Sequence, residues 1–226
     1  MNFTGAGTVS AGEYDEEISI AGSGHIKGNI KCTGLESAGS TKSDGDIECS
    51  GKIETAGSFS VRGNVKASGK VETSGTAKID GFVKCDYLES SGAIHISEGI
   101  EAETAELSGM IECGGLLNAE KVEIWFGSGG HVGSIGGGEI EIARSGGEIV
   151  NHSISIFSRF SNNGDIRNFT VDEYIEGDTV EIENVTVPVV TGRIGSIGAG
   201  CDIDTVRYSE QCEISPDAKV GSTEKI

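Results

Sequence analysis

Residues 45–85 read Gly45-Asp-Ile47-Glu-Cys49-Ser-Gly51-Lys-Ile53-Glu-Thr55-Ala-Gly57-Ser-Phe59-Ser-Val61-Arg-Gly63-Asn-Val65-Lys-Ala67-Ser-Gly69-Lys-Val71-Glu-Thr73-Ser-Gly75-Thr-Ala77-Lys-Ile79-Asp-Gly81-Phe-Val83-Lys-Cys85. Glycine recurs at 45, 51, 57, 63, 69, 75 and 81, an interval of six held over seven positions. An aliphatic or aromatic residue, or Ala77, follows two places after each glycine, and a mostly small residue two places after that. The unit is therefore Gly-x-aliphatic-x-small-x. Alternation with a period of two turns the aliphatic and small residues to one side of a short strand and Lys, Glu, Asp and Ser to the other. Glycine then marks each corner. A strand this short cannot bury its apolar face alone, so the hexads are expected to wind into a coil whose turns stack, a parallel solenoid.

Three hexads per turn give an 18-residue rung, which places Ile47, Val65 and Val83 in one interior column, Ile53 and Val71 in another, and Phe59 over Ala77. Outside, Lys52 lies under Lys70 and Glu54 under Glu72, so each lysine has carboxylates within diagonal reach. Exposed pairs of this kind contribute only about 0 to 1 kcal/mol each, whereas each buried Ile or Val contributes about 1.5 to 3 kcal/mol. The interior columns decide the fold.

Working outward, Gly22, Gly28 and Gly34 hold the same interval, and Gly39 restarts it one residue early, as a deletion near Ser37 would produce. Beyond Gly81 the unit persists in Gly92-Ala-Ile94-His-Ile96 and Gly109-Met-Ile111-Glu-Cys113. The second half reads as a duplication: Val122-Glu-Ile124 leads to Gly133-Ser-Ile135-Gly-Gly-Gly138, and Val180-Glu-Ile182 leads to Gly195-Ser-Ile197-Gly-Ala-Gly200. Ile154-Ser-Ile156 and Ile166-Arg-Asn-Phe169-Thr-Val171 are expected strands between the copies. The organisation expected is a tail over 1–17, a regular hexad coil over 18–115, a less regular duplicated coil over 116–208, and a second tail over 209–226.

The 226 residues include 36 Gly, 2 Pro and 6 Cys, with 36 acidic against 17 basic side chains and a net charge of −19. That composition excludes long helices and collagen, and the charge opposes binding of nucleic acid through bulk electrostatics. No secretory signal and no apolar span is read in the sequence, so a cytoplasmic location with reduced thiols is expected. Cys32, Cys49, Cys85 and Cys113 fall on the small inward slot and read as core residues, with Cys32 and Cys49 on adjacent rungs. His25, His95, His131 and His152 show no carboxylate or cysteine at ligand spacing, and the two Gly-Ser-Ile-Gly-x-Gly stretches read as corners rather than phosphate loops. No catalytic, cofactor or metal residue is proposed. A solenoid acyltransferase is the enzyme alternative, although the histidine and protruding loop of that class are not found, and a non-polymerising adaptor is the other.

The opening Gly5-Ala-Gly-Thr-Val-Ser-Ala-Gly-Glu-Tyr14-Asp-Glu-Glu-Ile18-Ser-Ile20-Ala-Gly-Ser-Gly-His25-Ile26-Lys-Gly-Asn-Ile30, its hexads, and the closing Ile175-Glu-Gly-Asp-Thr-Val180-Glu-Ile182 to Gly200-Cys-Asp-Ile203-Asp-Thr-Val206-Arg-Tyr208 resemble the bactofilins, bacterial polymer-forming cytoskeletal proteins. The resemblance spans about residues 5 to 210. It implies an all-β, right-handed parallel β-helix that joins end to end into filaments without nucleotide, alone or with a paralogue, as a scaffold for other proteins. The coil ends, which need capping or pairing, supply the end-rung candidates Ile18, Ile20, Ile26, Ile203, Val206 and Tyr208. The resemblance also implies a contact with the inner face of the cell membrane. Met1 and Phe3 supply its apolar part, while the lack of a nearby Lys and the presence of Glu13, Asp15, Glu16 and Glu17 argue against attachment.

Overall fold

The computed structural model describes residues 1–145 and 168–226. The expected strands at Ile154–Ile156 and the start of the run at Ile166, together with His152, lie outside the described residues. The fold is an all-β parallel solenoid of about 12 turns, with no helix among the described residues.

The regular part comprises β2 (Glu17–Cys32), β3 (Gly34–Ser43), β4 (Ile47–Cys49), β5 (Ile53–Val61), β6 (Val65–Ala67), β7 (Lys70–Ile79), β8 (Phe82–Lys84) and β9 (Tyr87–Ile96), preceded by β1 (Asn2–Glu13). Next come β10 (Gly99–Phe126), β11 (Gly130–Arg144), β12 (Phe169–Val171), β13 (Tyr174–Ile182), β14 (Val185–Ile197), β15 (Asp202–Ile214) and β16 (Lys219–Lys225). Every pairing between them is parallel, as a coil of stacked turns requires.

The interior columns are those the alternation predicts. Ile47 pairs with Val65 and Val65 with Val83, Ile53 pairs with Val71, and Phe59 with Ala77, all of them buried. Rung length is less uniform than 18. Leu35 stands on Ile53, 18 residues on, but Ile18 stands on Leu35 and Val71 on Leu88, each 17 on. The early restart at Gly39 is one such 17-residue rung, since Gly22 pairs with Gly39 and Gly39 with Gly57. A corner absorbs the missing residue, so inward parity is kept on both sides of it.

The three glycines of a rung do not act alike. Strand β5 runs straight through Gly57 and bends there, whereas Gly51 and Gly63 separate strands. Gly22, Gly39, Gly57, Gly75, Gly92 and Gly109 stack in one column, all with φ between +109° and +127°. A Cβ at any of them would collide with the carbonyl oxygen of the glycine one rung before. A second corner is pinned by a ladder of Asn29, Asp46 and Asn64. Asn29 Oδ1 accepts from the Asp46 N–H at 2.9 Å, Asp46 Oδ1 from the Asn64 N–H at 2.7 Å, and Asn64 Oδ1 from the Phe82 N–H at 3.1 Å.

Three expectations are corrected. The ends are strands rather than tails: β1 lies on β2, with Phe3 on Ile20 and Val9 on Ile26, and β16 lies on β15, with Val220 on Ile203. Their Gly, Ser, Thr and acidic residues mark strands that bury little, not irregular chain. The duplication is not structural beyond its first motif. Val122 and Val180 do share a column with Ile140, but Ile197 stands on Ile182, whereas Ile135 stands beside Ile175 and Val190. The two Gly-Ser-Ile stretches thus occupy different sides of the coil. Glycine also does not end a strand at every hexad, because a positive φ lets Gly57 and its column turn the chain within a continuous ladder.

Candidate functional site

The outward positions form long columns, and the most uniform of these is acidic. Glu36, Glu54, Glu72, Glu89 and Glu106 are successive partners on five rungs, and Glu123, Glu141 and Glu181 are partners further along. Three lysines interleave with them. Lys52 binds Glu54 at 2.8 Å, Lys121 binds Glu123 at 2.7 Å, and Lys70 bridges Glu72 at 2.7 Å and Glu89 at 2.6 Å. The diagonal neutralisation expected from the sequence is present there. The hydrogen bonds to Glu72 and Glu89 push the Lys70 ammonium above its ordinary value. Glu141 has no such lysine bonded to it; burial, then repulsion from Glu123 and Glu181, pushes its carboxyl up.

Beside the glutamates runs a flat strip of small residues. Ala21-Gly22-Ser23, Ala38-Gly39-Ser40, Ala56-Gly57-Ser58 and Ser74-Gly75-Thr76 stack in register and are all exposed. This strip is the outer surface of the positive-φ corner.

Each histidine within the described residues faces a carboxylate. His25 Nε2 lies 2.5 Å from Asp44 Oδ2, His95 Nδ1 lies 2.9 Å from Glu112 Oε2, and His131 Nε2 lies 2.8 Å from Asp172 Oδ2. These partners are 19, 17 and 41 residues away in sequence, outside ligand spacing. Stepping by one rung finds His95 and Glu112 at once. The hydrogen bond from His25, followed by the charges of His25, Lys42 and Arg62, holds the Asp44 carboxyl below its ordinary value.

The four cysteines placed in the core are buried, as is Cys201, and Cys212 is half-buried. Burial pushes the Cys85 thiol up to about 12 and the Cys201 thiol up to about 11. The first Gly-Ser-Ile stretch lies within β11, where Gly136 and Gly137, with Gly177 and Gly192, floor a shallow open groove of about 710 Å³ walled by Leu116, Tyr174 and Arg193. The second ends β14 and turns at Gly200, φ +74°. It is the corner that the sequence suggests, and the first is not.

The end-rung candidates sit one rung inside the coil. Ile18, Ile20 and Ile26 are buried below β1, and Ile203, Val206 and Tyr208 pair with Val220, Thr223 and Lys225. Ile203 and Val206 are buried, and Tyr208 is half-exposed beneath the Lys225 ammonium, 5.9 Å from its ring centre. Of the expected membrane contact, Phe3 is half-buried against the core instead. Among the described residues no helix is long and apolar enough to cross a membrane.

Comparison with known proteins corrects the resemblance to bactofilins, whose family does not match. Glycine corners and hexads follow from rung geometry, and any β-solenoid shares them. An uncharacterized protein of Bacillus subtilis (strain 168), YhbF, is 32% identical over 113 residues, a stretch that is 50% of this chain and 42% of the relative. The chain therefore spans less than half the length of that relative. No solved structure matches. The family model that does match is the Flagellar Assembly Protein A β-solenoid domain, FapA, over residues 17–200, and it takes in the coil from β2 to the Gly200 turn. On that coverage the chain belongs to the FapA β-solenoid domain family.

Proposed function

We propose that this chain is a non-enzymatic adaptor in flagellar assembly, a stiff β-solenoid that holds partner proteins against its side faces. The observation that carries the reading is the match of the flagellar assembly domain to residues 17–200, the coil from β2 to the Gly200 turn. The faces suit the role. A coil of about 12 turns at roughly 4.8 Å per strand is a rod on the order of 55 Å long, with outward columns that repeat one chemistry over several rungs. The outermost described strands also suit an adaptor better than an end-to-end polymer. Strand β16 carries Lys219, Glu224 and Lys225, and β1 is mostly exposed Gly, Ser, Thr and Glu. Charged and weakly apolar edges of this kind resist further strand addition.

Deletion of the coding segment from the host genome, with flagella counted by electron microscopy, tests the reading. Loss or misplacement of flagella, restored by the wild-type chain but not by the core-disrupting Val65→Asp variant, is expected. Normal number and placement of flagella in the deletion strain would contradict it.

A further inference from the structure

The interior column that begins at Cys32 continues with Cys49, its in-register partner on the next rung, and then with Ala67. The two sulfurs are 3.0 Å apart. In-register neighbours on adjacent strands have Cα atoms about 4.8 Å apart, inside the span of roughly 4.4–6.8 Å that a disulfide bridges. Closing the bond asks only that two sulfurs already in contact approach by about 1 Å. The other cysteines are placed differently. Ala67 stands between Cys49 and the rung of Cys85, and Cys113 pairs with Ile96 and Val132. Cys32 and Cys49 are thus the stacked pair among the six.

We propose that Cys32 and Cys49 form an oxidation site, where a peroxide converts the two thiols into a disulfide that joins consecutive rungs. Cys32 is the attacking sulfur. It is 6% exposed against 1% for Cys49, and the Cys49 S–H, then the Gly34 N–H, hold its thiol below the ordinary value, while the same hydrogen bond raises Cys49 and burial raises Cys85, Cys113, Cys201 and Cys212. The Cys32 thiolate displaces hydroxide from the peroxide. The O–O bond breaks, a sulfenic acid forms on Cys32, and the hydroxide takes up the proton that Cys32 released. Cys49 Sγ then attacks Cys32 Sγ, the S–O bond breaks, and its oxygen leaves as water with the Cys49 proton. Two thiols are oxidised and one hydrogen peroxide is reduced to two waters. The bond closes the short loop between the partners and ties together rungs that are otherwise held by the backbone ladder and core packing alone. This inference stands whether or not the chain serves flagellar assembly.

The test treats the purified full chain with hydrogen peroxide, counts free thiols in denaturant, and maps cross-linked peptides by mass spectrometry. Free thiols should fall from six to four, with Cys32 and Cys49 in one linked peptide that dithiothreitol releases. Cys85→Ser, from the same column, should give the same link; Cys32→Ser should leave all five remaining thiols free, while Cys49→Ser should give no link and stop at a Cys32 sulfenic acid that dimedone traps. A wild-type chain that keeps six thiols while free cysteine in the same tube is consumed would overturn the proposal. So would loss of thiols to sulfinic acid, or to any pair other than Cys32 and Cys49.

Discussion

A side chain at Gly57 would have to occupy the place of the Gly39 carbonyl oxygen, and the backbone there has φ +114°. Gly69 differs on both counts, with no positive φ and the Gly51 oxygen 3.4 Å from where its Cβ would lie. Gly57→Ala should therefore cost about 2 kcal/mol or more through strain and collision. Gly69→Ala should fall between neutral and about 1 kcal/mol stabilising, because it restricts the unfolded chain. Urea unfolding of the two variants checks this, and equal losses would mean that glycine column is not the strained one. The sequence shows glycine every six residues but not which of the three per rung bends, since Gly51, Gly57 and Gly63 sit in hexads of one pattern. At the same scale, Val65→Asp places a carboxylate between Ile47 and Val83, where it has no partner. That should cost several kcal/mol (about 3 or more). Lys70→Ala removes two exposed ion pairs and should cost under about 1 kcal/mol. Melting curves separate the pair. The Lys70 contribution has a definite sign with pH: a raised folded-state value means it is complete below the ordinary lysine range and lost as pH climbs through the higher one.

At the scale of the element, a column of like charges reads differently from any member of it. Glu141 stands between Glu123 and Glu181, and its carboxyl is pushed up by burial first and by those neighbours next. A carboxyl that holds its proton more tightly when folded weakens the fold once ionised. The penalty is complete at neutral pH, shrinks as pH falls through the raised value, and is gone below the ordinary carboxylate range. Glu141→Gln should accordingly raise stability at pH 7 by about 0.5 kcal/mol, with no gain below about pH 4. Thermal melts at the two pH values measure it; an unchanged gain at low pH would point to packing instead of charge. Columns in the regular coil were legible because hexads fix the parity, as Ile47, Val65 and Val83 demonstrate. They were less so where corners change length. Lys70 is followed on the next rung by Tyr87 rather than by Leu88, the residue an 18-residue step would place there, because that rung has 17 residues. The cross-rung histidine pairs escaped for the same reason: Asp44 is 19 residues from His25 and Glu112 is 17 from His95.

For the whole molecule, the class of fold was written in the repeat, while its ends and its family were not. Strand β1 buries Val9 and half-buries Phe3, so its composition resembles a loop. The signal was nevertheless present one rung away, in Phe3 under Ile20, Gly5 under Gly22 and Val9 under Ile26. Strand β1 carries polar residues because little of it is buried. Family membership escaped for a deeper reason. Glycine corners and inward aliphatics are what stacked rungs demand of any chain, so they specify the solenoid and leave lineage open. Burying Ile18, Ile20, Ile203 and Val206 below β1 and β16 removes them as end contacts and moves attention to the sides of the rod. The adaptor reading then makes a claim about association that differs from a filament. Size-exclusion chromatography with multi-angle light scattering, followed by negative-stain electron microscopy of the same fractions, measures it without nucleotide and across a wide range of protein concentration. The account predicts short rods of one discrete mass, a small whole multiple of 23.3 kDa; a mass that grows with concentration, and filaments many rods long, would contradict it.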